Sequence, residues 1–267
     1  MAIEHLTLED NSQLDVDFGQ FIAKGGQADV YKGTYKTETV AVKVSKDAIA
    51  KEEMIKESQM LDNFQDSQHI IKKRAFKLGN TVAFLALELA AEGDLYKATE
   101  PSKKLSGDKK VKFMLQIAHG LKELHAKGIV HGDLKAANVF ICKSEIARIL
   151  KIGDLGSAYE EDSPFSGRKA NGMCIDPALF ATASAKPTKE TDMYSFAMTV
   201  KQLYGERLPK DKKTPTTSFK DLGVPNAYIA KLEACLSPKL TDRPTAAALY
   251  EEFKTTAGAR TCSCPIQ

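Results

Sequence analysis

The spacing of apolar residues changes its period partway along the chain, and that change restricts the folds open to it. Over the first ninety residues, Phe18 to Lys36, Thr39 to Val44 and Thr81 to Glu88 have the β-branched and aromatic content of strands. One helix is set among them: from Lys51 to Phe64, Met54, Leu61 and Phe64 fall at helical spacing, and Glu57 lies on the same stripe. After about residue 95 the helical period dominates. Met114, Ala118, Leu121 and Leu124/His125 mark one face, and Met193, Phe196, Val200 and Leu203 mark another. The pattern predicts an α+β protein with a small sheet-rich lobe and a larger helical lobe. A chain of 267 residues is long enough to bury roughly three quarters of its unfolded surface, so it needs no disulfide or metal to fold.

Composition removes several function classes. Hydrophobic residues at 43% and charged residues at 27% exclude disorder, coiled coil and collagen-like repeats. The balance of 38 basic against 35 acidic residues gives no basic footprint for nucleic acid. The acidic start, Met1 to Asn11, lacks the apolar core of a secretory leader. The longest apolar stretch, Thr81 to Ala91, is interrupted by Glu88 and too short to span a membrane. Of five cysteines, Cys142, Cys174 and Cys235 are scattered singly, while Cys262 and Cys264 lie near residue 267. That usage fits a reducing, cytoplasmic compartment better than a disulfide framework.

Three polar constellations suggest phosphate chemistry. In Ile22-Ala23-Lys24-Gly25-Gly26-Gln27-Ala28-Asp29-Val30, a tight turn of small residues between two strands would let the backbone approach a phosphate chain. A plain hairpin turn would read the same way, so the weight falls on a later strand. In Val40-Ala41-Val42-Lys43, alternation puts Ala41 and Lys43 on one face: room for a flat ring, with a cation reaching past it. Glu57, on the apolar stripe of the helix, would be costly to bury unpaired, and Lys43 is its natural partner. Further on, His131-Gly132-Asp133-Leu134-Lys135-Ala136-Ala137-Asn138 is bracketed by the apolar Ile129-Val130 and Val139. Its Asp, Lys and Asn within six positions suit metal-assisted phosphoryl transfer. Asp154, after the strand Ile149 to Ile152 and between Gly153 and Gly156, reads either as a turn residue or as a second hard-metal ligand.

In this order and spacing the motifs resemble the eukaryotic-type protein kinases over roughly residues 17 to 255, of the Ser/Thr type with a tyrosine-kinase-like flavour. The glycine-rich loop, V-A-V-K, the helix glutamate, the H-G-D-L-K-A-A-N loop and D-L-G at 154 to 156 carry the resemblance. Asp176-Pro177-Ala178, Thr191 to Phe196 and Asp242-Arg243-Pro244-Thr245 extend it. It implies a bilobal kinase-like fold, with an extension over 1–16, an N-lobe over 17–90, a C-lobe over 91–255 and a flexible tail over 256–267. It also implies ATP and Mg²⁺ as cofactors and a protein as substrate. Lys43 would hold the α- and β-phosphates, Glu57 would orient Lys43, Asp133 would be the base and Lys135 would face the transferred phosphoryl. Asn138 and Asp154 would bind Mg²⁺. Gly25 and Gly26 belong to the phosphate loop. Ile22, Val30, Ala41, Leu87, Leu89, Ala90 and Phe140 would enclose the adenine, Glu88 and Ala90 supplying backbone contacts.

The chain departs from the family pattern at several places. Ala23 and Ala28 replace the first and third loop glycines, which implies a stiffer loop. Gly132 stands where the family has the arginine that binds a phosphorylated activation segment, so activity without such phosphorylation is expected and Ser157, Ser163 and Ser166 would be dispensable. Ala178 replaces the glutamate that pairs with the arginine matching Arg243, which then needs another partner. Ala170-Asn171 replaces the Gly-Thr associated with substrate docking. Two other readings compete: a pseudokinase binding module, opposed by the complete set Lys43, Glu57, Asp133, Asn138 and Asp154, and a small-molecule phosphotransferase of aminoglycoside-kinase type, opposed by Lys135, Asp192 and Asp242-Arg243-Pro244.

The final residues Cys264-Pro265-Ile266-Gln267 have the form of a prenylation signal, with glutamine in the position that favours a farnesyl group. Cys262 would supply a second, palmitoyl anchor, giving peripheral attachment at the cytosolic face of a membrane. An unmodified terminus with incidental cysteines is the competing reading.

Overall fold

The computed structural model describes residues 3–100, 105–143, 147–163, 174–180, 185–207 and 217–262, with side chains described as far as Gly258. The chain divides into two compact units. One takes in the chain through Ala91 together with Asp154–Gly156; the other takes in Glu92–Gly153 and the chain from Ser157 onward.

The first unit is a six-stranded antiparallel sheet in the order β1-β2-β3-β4-β6-β5 with one helix. Its strands are β1 (Ile3–Thr7), β2 (Gln13–Lys24), β3 (Ala28–Tyr35) and β4 (Glu38–Ser45), followed after helix α1 (Ala48–Asp62) by β5 (Lys73–Leu78) and β6 (Ala83–Glu88). Residues 3–16, expected as an extension, belong to the sheet: β1 pairs β2 from Ile3↔Asp17 to Thr7↔Gln13. Leu14 and Val16 are fully buried against Val40, Val42, Phe84 and Ala86. Because strand side chains alternate, this cluster occupies one face, and Val30, Ala41, Lys43 and Leu87 occupy the other, as the pairs Val30↔Lys43 and Ala41↔Leu87 require. Strand β5 escapes a reading by hydrophobicity because Lys73, Arg74 and Lys77 dominate it. Two of those cations are paired, Lys73 with Asp62 at 2.6 Å and Arg74 with Glu38 at 2.7 Å.

Helix α1 begins at Asp47, whose carboxylate accepts from Ala50 N at 2.8 Å and so satisfies an otherwise open helix-end donor. It buries Met54, Glu57 and Leu61, the stripe read from the sequence.

The second unit is mainly helical. It contains α2 (Leu95–Ala98), α3 (Gly107–Ala126), α4 (Lys189–Leu203), α5 (Asn226–Cys235) and α6 (Ala246–Cys262), with the short strands β7 (Ile129–Val130), β8 (Val139–Lys143), β9 (Arg148–Ile152) and β10 (Tyr159–Glu160). On α3 the expected face holds, with Met114, Ala118, Leu121 and Leu124 buried. Helix α4 differs from its expected one-sided pattern: every residue from Thr191 to Leu203 is buried, so it is enclosed by the unit rather than laid upon it. A reciprocal cap between Thr188 and Thr191 starts it. The tail expected to be flexible from residue 256 is helical through Cys262. Cys142, Cys174 and Cys235 are buried and in no disulfide, and among the described residues no helix is long and apolar enough to cross a membrane.

Candidate active site

In the first unit, the turn between β2 and β3 closes through Gly25 N donating to Ala28 O at 2.9 Å. A Cβ on Gly25 would stand 2.6 Å from that same oxygen, so the turn demands glycine there. Nothing lies within 4 Å of the position a Cβ would take on Gly26, which leaves that backbone open to a ligand. Ala28, in place of a family glycine, is buried at the start of β3 opposite Ser45.

Lys43 Nζ donates to Glu57 Oε2 at 2.6 Å and to Asp154 Oδ1 at 3.0 Å. Strand β4 and helix α1 thereby form the pair expected from the sequence, and Asp154 joins it. Glu57 is 2% exposed, and its other oxygen accepts from Leu155 N at 3.2 Å. Burial works to lower the Lys43 ammonium, but the carboxylates of Asp154 and Glu57 outweigh it and hold it above its ordinary value. Burial also raises the Glu57 carboxyl, with Lys43 pulling it back and Asp154 adding to the rise. Asp154 sits at φ 59°, in the left-handed region that aspartate tolerates better than most residues. Its side chain is half exposed.

In the second unit, the loop after β7 is organised by a residue 60 positions further on. The Asp192 carboxylate accepts from His131 N at 2.8 Å and Gly132 N at 2.9 Å, and lies 2.9 Å from His125 Nε2. His131 is fully buried. Its Nδ1 accepts from Asp133 N at 3.2 Å and its Nε2 faces Gly153 O at 3.2 Å, which assigns the ring proton to Nε2. Asp133 is thus aimed from behind. Its Oδ2 receives Lys135 Nζ at 2.6 Å and Asn138 Nδ2 at 3.1 Å, and Asn138 Nδ2 also donates to Asp133 O at 2.8 Å. Gln202 Oε1 accepts from Ala136 N at 2.9 Å and fixes the following 3-10 turn. The roles of His125 and Gln202 carry no local signal; Asp192 was visible only as a motif residue.

Gly132 has φ 74°, and a Cβ there would approach Ser157 O to 3.0 Å, so the position admits glycine on backbone grounds as well as on space. The expectation that Arg243 lacks its family ion pair is answered within the same unit. Arg243 Nη1 donates to Asp176 Oδ2, and the two side chains are 1% and 2% exposed. The partner comes from two residues before Ala178. Among the other sequence-predicted positions, Ser166, Ala170, Asn171 and Cys264 lie outside the described residues, as does the side chain of Cys262.

The donor atoms suit the implied cofactors. Asn138 turns its amide NH₂ to Asp133, so its amide oxygen is the atom available to a cation. Taken unit by unit, the Asn138 amide oxygen in the second and the half-exposed Asp154 carboxylate in the first are each hard donors of the kind Mg²⁺ accepts. Among the described residues no three His, Cys, Asp or Glu converge as a self-sufficient metal cage. For a nucleotide, Val30, Ala41 and Leu87 share the sheet face of Lys43. The Glu88 carboxylate accepts from Lys72 N at 2.7 Å. Ile22 is 38% exposed, and Phe140 lies on β8 of the second unit.

The first unit thus presents a paired lysine on a sheet and a positive-φ aspartate, and the second a loop aspartate braced by lysine and asparagine. The protein kinase domain family matches residues 16–252, and the chain belongs to that family. It is 25% identical over 213 residues to Probable serine/threonine-protein kinase gdt2 of Dictyostelium discoideum, covering 76% of this chain and 13% of that protein. It is 30% identical over 196 residues to Tyrosine-protein kinase Fer of Homo sapiens, covering 70% of this chain and 23% of that protein. The chain thus spans about a quarter or less of the length of these relatives.

Proposed function

We propose that the chain is an ATP- and Mg²⁺-dependent kinase that phosphorylates serine and threonine of protein substrates, without prior phosphorylation of its own activation segment. The observation that carries this is the arrangement at Asp133: a carboxylate braced by Lys135 at 2.6 Å and Asn138 at 3.1 Å. Asp133 accepts the proton of the attacking hydroxyl, Lys135 offsets the charge that develops beside it, and Lys43, held by Glu57, grips the phosphates. Bound nucleotide and metal supply the phosphoryl group and its charge neutralisation. Intact pairing of Lys43 with Glu57 argues against a pseudokinase. Lys135, two residues after the base, favours serine and threonine, although the relatives are named as kinases of both specificities. Radiolabelled ATP transfer to a generic protein, with phosphoamino-acid analysis, tests the proposal: phosphoserine or phosphothreonine supports it, while no transfer or dominant phosphotyrosine overturns it.

Cytoplasmic placement with lipid on Cys264 and Cys262 is a separate proposal carried by the tail sequence alone. Intact mass of protein made in eukaryotic cells tests it: an unmodified tail, and no mass difference on Cys264→Ser beyond the substitution, removes it.

A further inference from the structure

The first unit carries a cavity of about 380 Å³ on the face of its sheet turned away from Val30 and Lys43. The strand register shows how it forms. Between the pairs Asp17↔Lys32 and Phe21↔Tyr31, β2 advances four residues while β3 advances one, so Phe18, Gly19 and Gln20 stand out as a bulge. The Asp17 carboxylate accepts from Gly19 N at 2.9 Å and holds the bulge in place. Phe18 is thereby set edge-on to Tyr31, with 4.9 Å between ring centres, and Phe21, 55% exposed, meets the same ring at 5.6 Å. Phe18, Tyr31 and Val44 make the apolar wall of the cavity and rest on the Val16, Val40 and Val42 cluster. Lys24, Asp29 and Lys46 make its polar side. Lys46 is paired with Asp29 at 3.0 Å and donates to Gly25 O at 2.5 Å, while among the described residues Lys24 meets no carboxylate. Two ammonium groups against one carboxylate leave the cavity positively charged.

We propose that this cavity is a second, regulatory ligand site, which takes a small aryl carboxylate and weakens nucleotide binding through Lys46. Its volume lies at the lower end of the range for small-molecule sites. The ring of the ligand lies against Phe18, Tyr31 and Val44, and its carboxylate stands between Lys24 and Lys46. A cationic ligand is opposed by both ammonium groups, and a neutral ring leaves them unmatched. Lys46 carries the coupling. Its ammonium bonds a carboxylate more strongly than it bonds the amide oxygen of Gly25, so the arriving anion draws it from the turn between β2 and β3. That turn is the segment assigned to the phosphates, so the regulation rests on the protein-kinase reading, whereas the binding of the ligand does not.

Indole-3-acetate is the test ligand. The chain contains no tryptophan, so indole emission excited beyond the tyrosine absorption reads the ligand alone. The full chain is expected to bind it with a dissociation constant on the order of 1 mM or tighter, and to bind the neutral indole-3-acetamide about fivefold more weakly. Lys24→Glu should weaken the acid about tenfold while leaving the amide within about twofold, which guards against simple loss of fold. Phe18→Ala should weaken both. Saturating acid is expected to weaken ADP binding about threefold and, by reciprocity, ADP to weaken the acid by the same factor without abolishing its binding. Equal affinity for acid and amide, or an affinity indifferent to Lys24→Glu or Phe18→Ala, overturns the site. Complete displacement of the acid by ADP does so too, since the ligand then occupies the nucleotide face. An ADP affinity unchanged at saturating acid overturns the regulation. A wild type that binds the acid as expected but neither binds ADP nor transfers phosphate overturns the kinase reading, and the regulation with it, and leaves the site standing.

Discussion

Lys46 Nζ donates to the carbonyl of Gly25 at 2.5 Å, reaching from the end of β4 to the turn between β2 and β3. The same ammonium pairs with Asp29 at 3.0 Å, and Lys46 N donates to Gln27 O at 3.1 Å. Three tethers from one residue hold a loop in which the first and third family glycines are alanine. The ion pair is partly exposed, so its net worth is about 1 kcal/mol or less. On the proposed function, in which the loop holds phosphate and not the acceptor, Lys46→Met should raise KM for ATP roughly fivefold, with kcat within about twofold. Steady-state kinetics over an ATP series checks this; a kcat loss with unchanged KM would contradict it.

Lys43 and Glu57 make opposite predictions for stability and catalysis. Removing only the lysine leaves a carboxylate that is 2% exposed without its counter-charge, at a cost of about 3–5 kcal/mol, whereas replacing both with apolar residues is often neutral. Lys43→Met should therefore lower the melting temperature by roughly 10 °C and the rate by about 10² to 10⁴. Lys43→Met/Glu57→Leu should regain the melting temperature but none of the rate. Asp154, half exposed, is left to water in the double variant. Calorimetry alongside the transfer assay separates the two effects.

Activity should survive phosphatase treatment within about twofold. The near end of the activation segment is held by fixed groups: β10 pairs β7, Tyr159 OH donates to Pro187 O, and Lys189 pairs with Glu161 at 2.6 Å. Gly132→Arg should not install phosphate control. The left-handed backbone at that position costs a non-glycine residue about 1–2 kcal/mol, and its Cβ meets Ser157 O at 3.0 Å. The expected result is a less stable enzyme whose activity is equally indifferent to phosphatase; a variant that becomes phosphatase-sensitive would refute the argument.

Burial, and for Cys174 the nearby Asp133 carboxylate, pushes the Cys174 and Cys235 thiols up to about 12. The native state therefore holds these protons after the unfolded chain, with thiols near 8.5, has released them. Their contribution to stability is complete below about pH 8.5 and is lost as pH rises toward 12, by about 1.4 kcal/mol per thiol and pH unit. Urea melts between pH 8 and 10.5 should show this decline, and Cys174→Ala/Cys235→Ala should flatten it. Neither thiol should react with iodoacetamide at pH 8.5 until the protein is unfolded.

Much of the candidate site was legible because its logic is local. Strand alternation puts Ala41 and Lys43 on one face, helical spacing puts Glu57 on the buried stripe of α1, and Asp133, Lys135 and Asn138 are close enough in sequence to meet in one turn. What the chain order could not contain is which distant groups complete them. Asp192 braces His131 and Gly132 from 60 positions away, and Arg243 finds Asp176 rather than a residue at 178. The stripe Met193, Phe196, Val200 and Leu203 showed only one side of helix α4, because the unit encloses the helix on all sides. Strand β5 is hidden by cations whose counter-charges lie on α1 and β4. Periodicity and spacing report only where a side chain stands relative to its own element. A buried charge or a sheet edge is satisfied by whatever the tertiary packing brings to it, and for Arg243, Asp192 and β1 that choice was made by the folded structure alone.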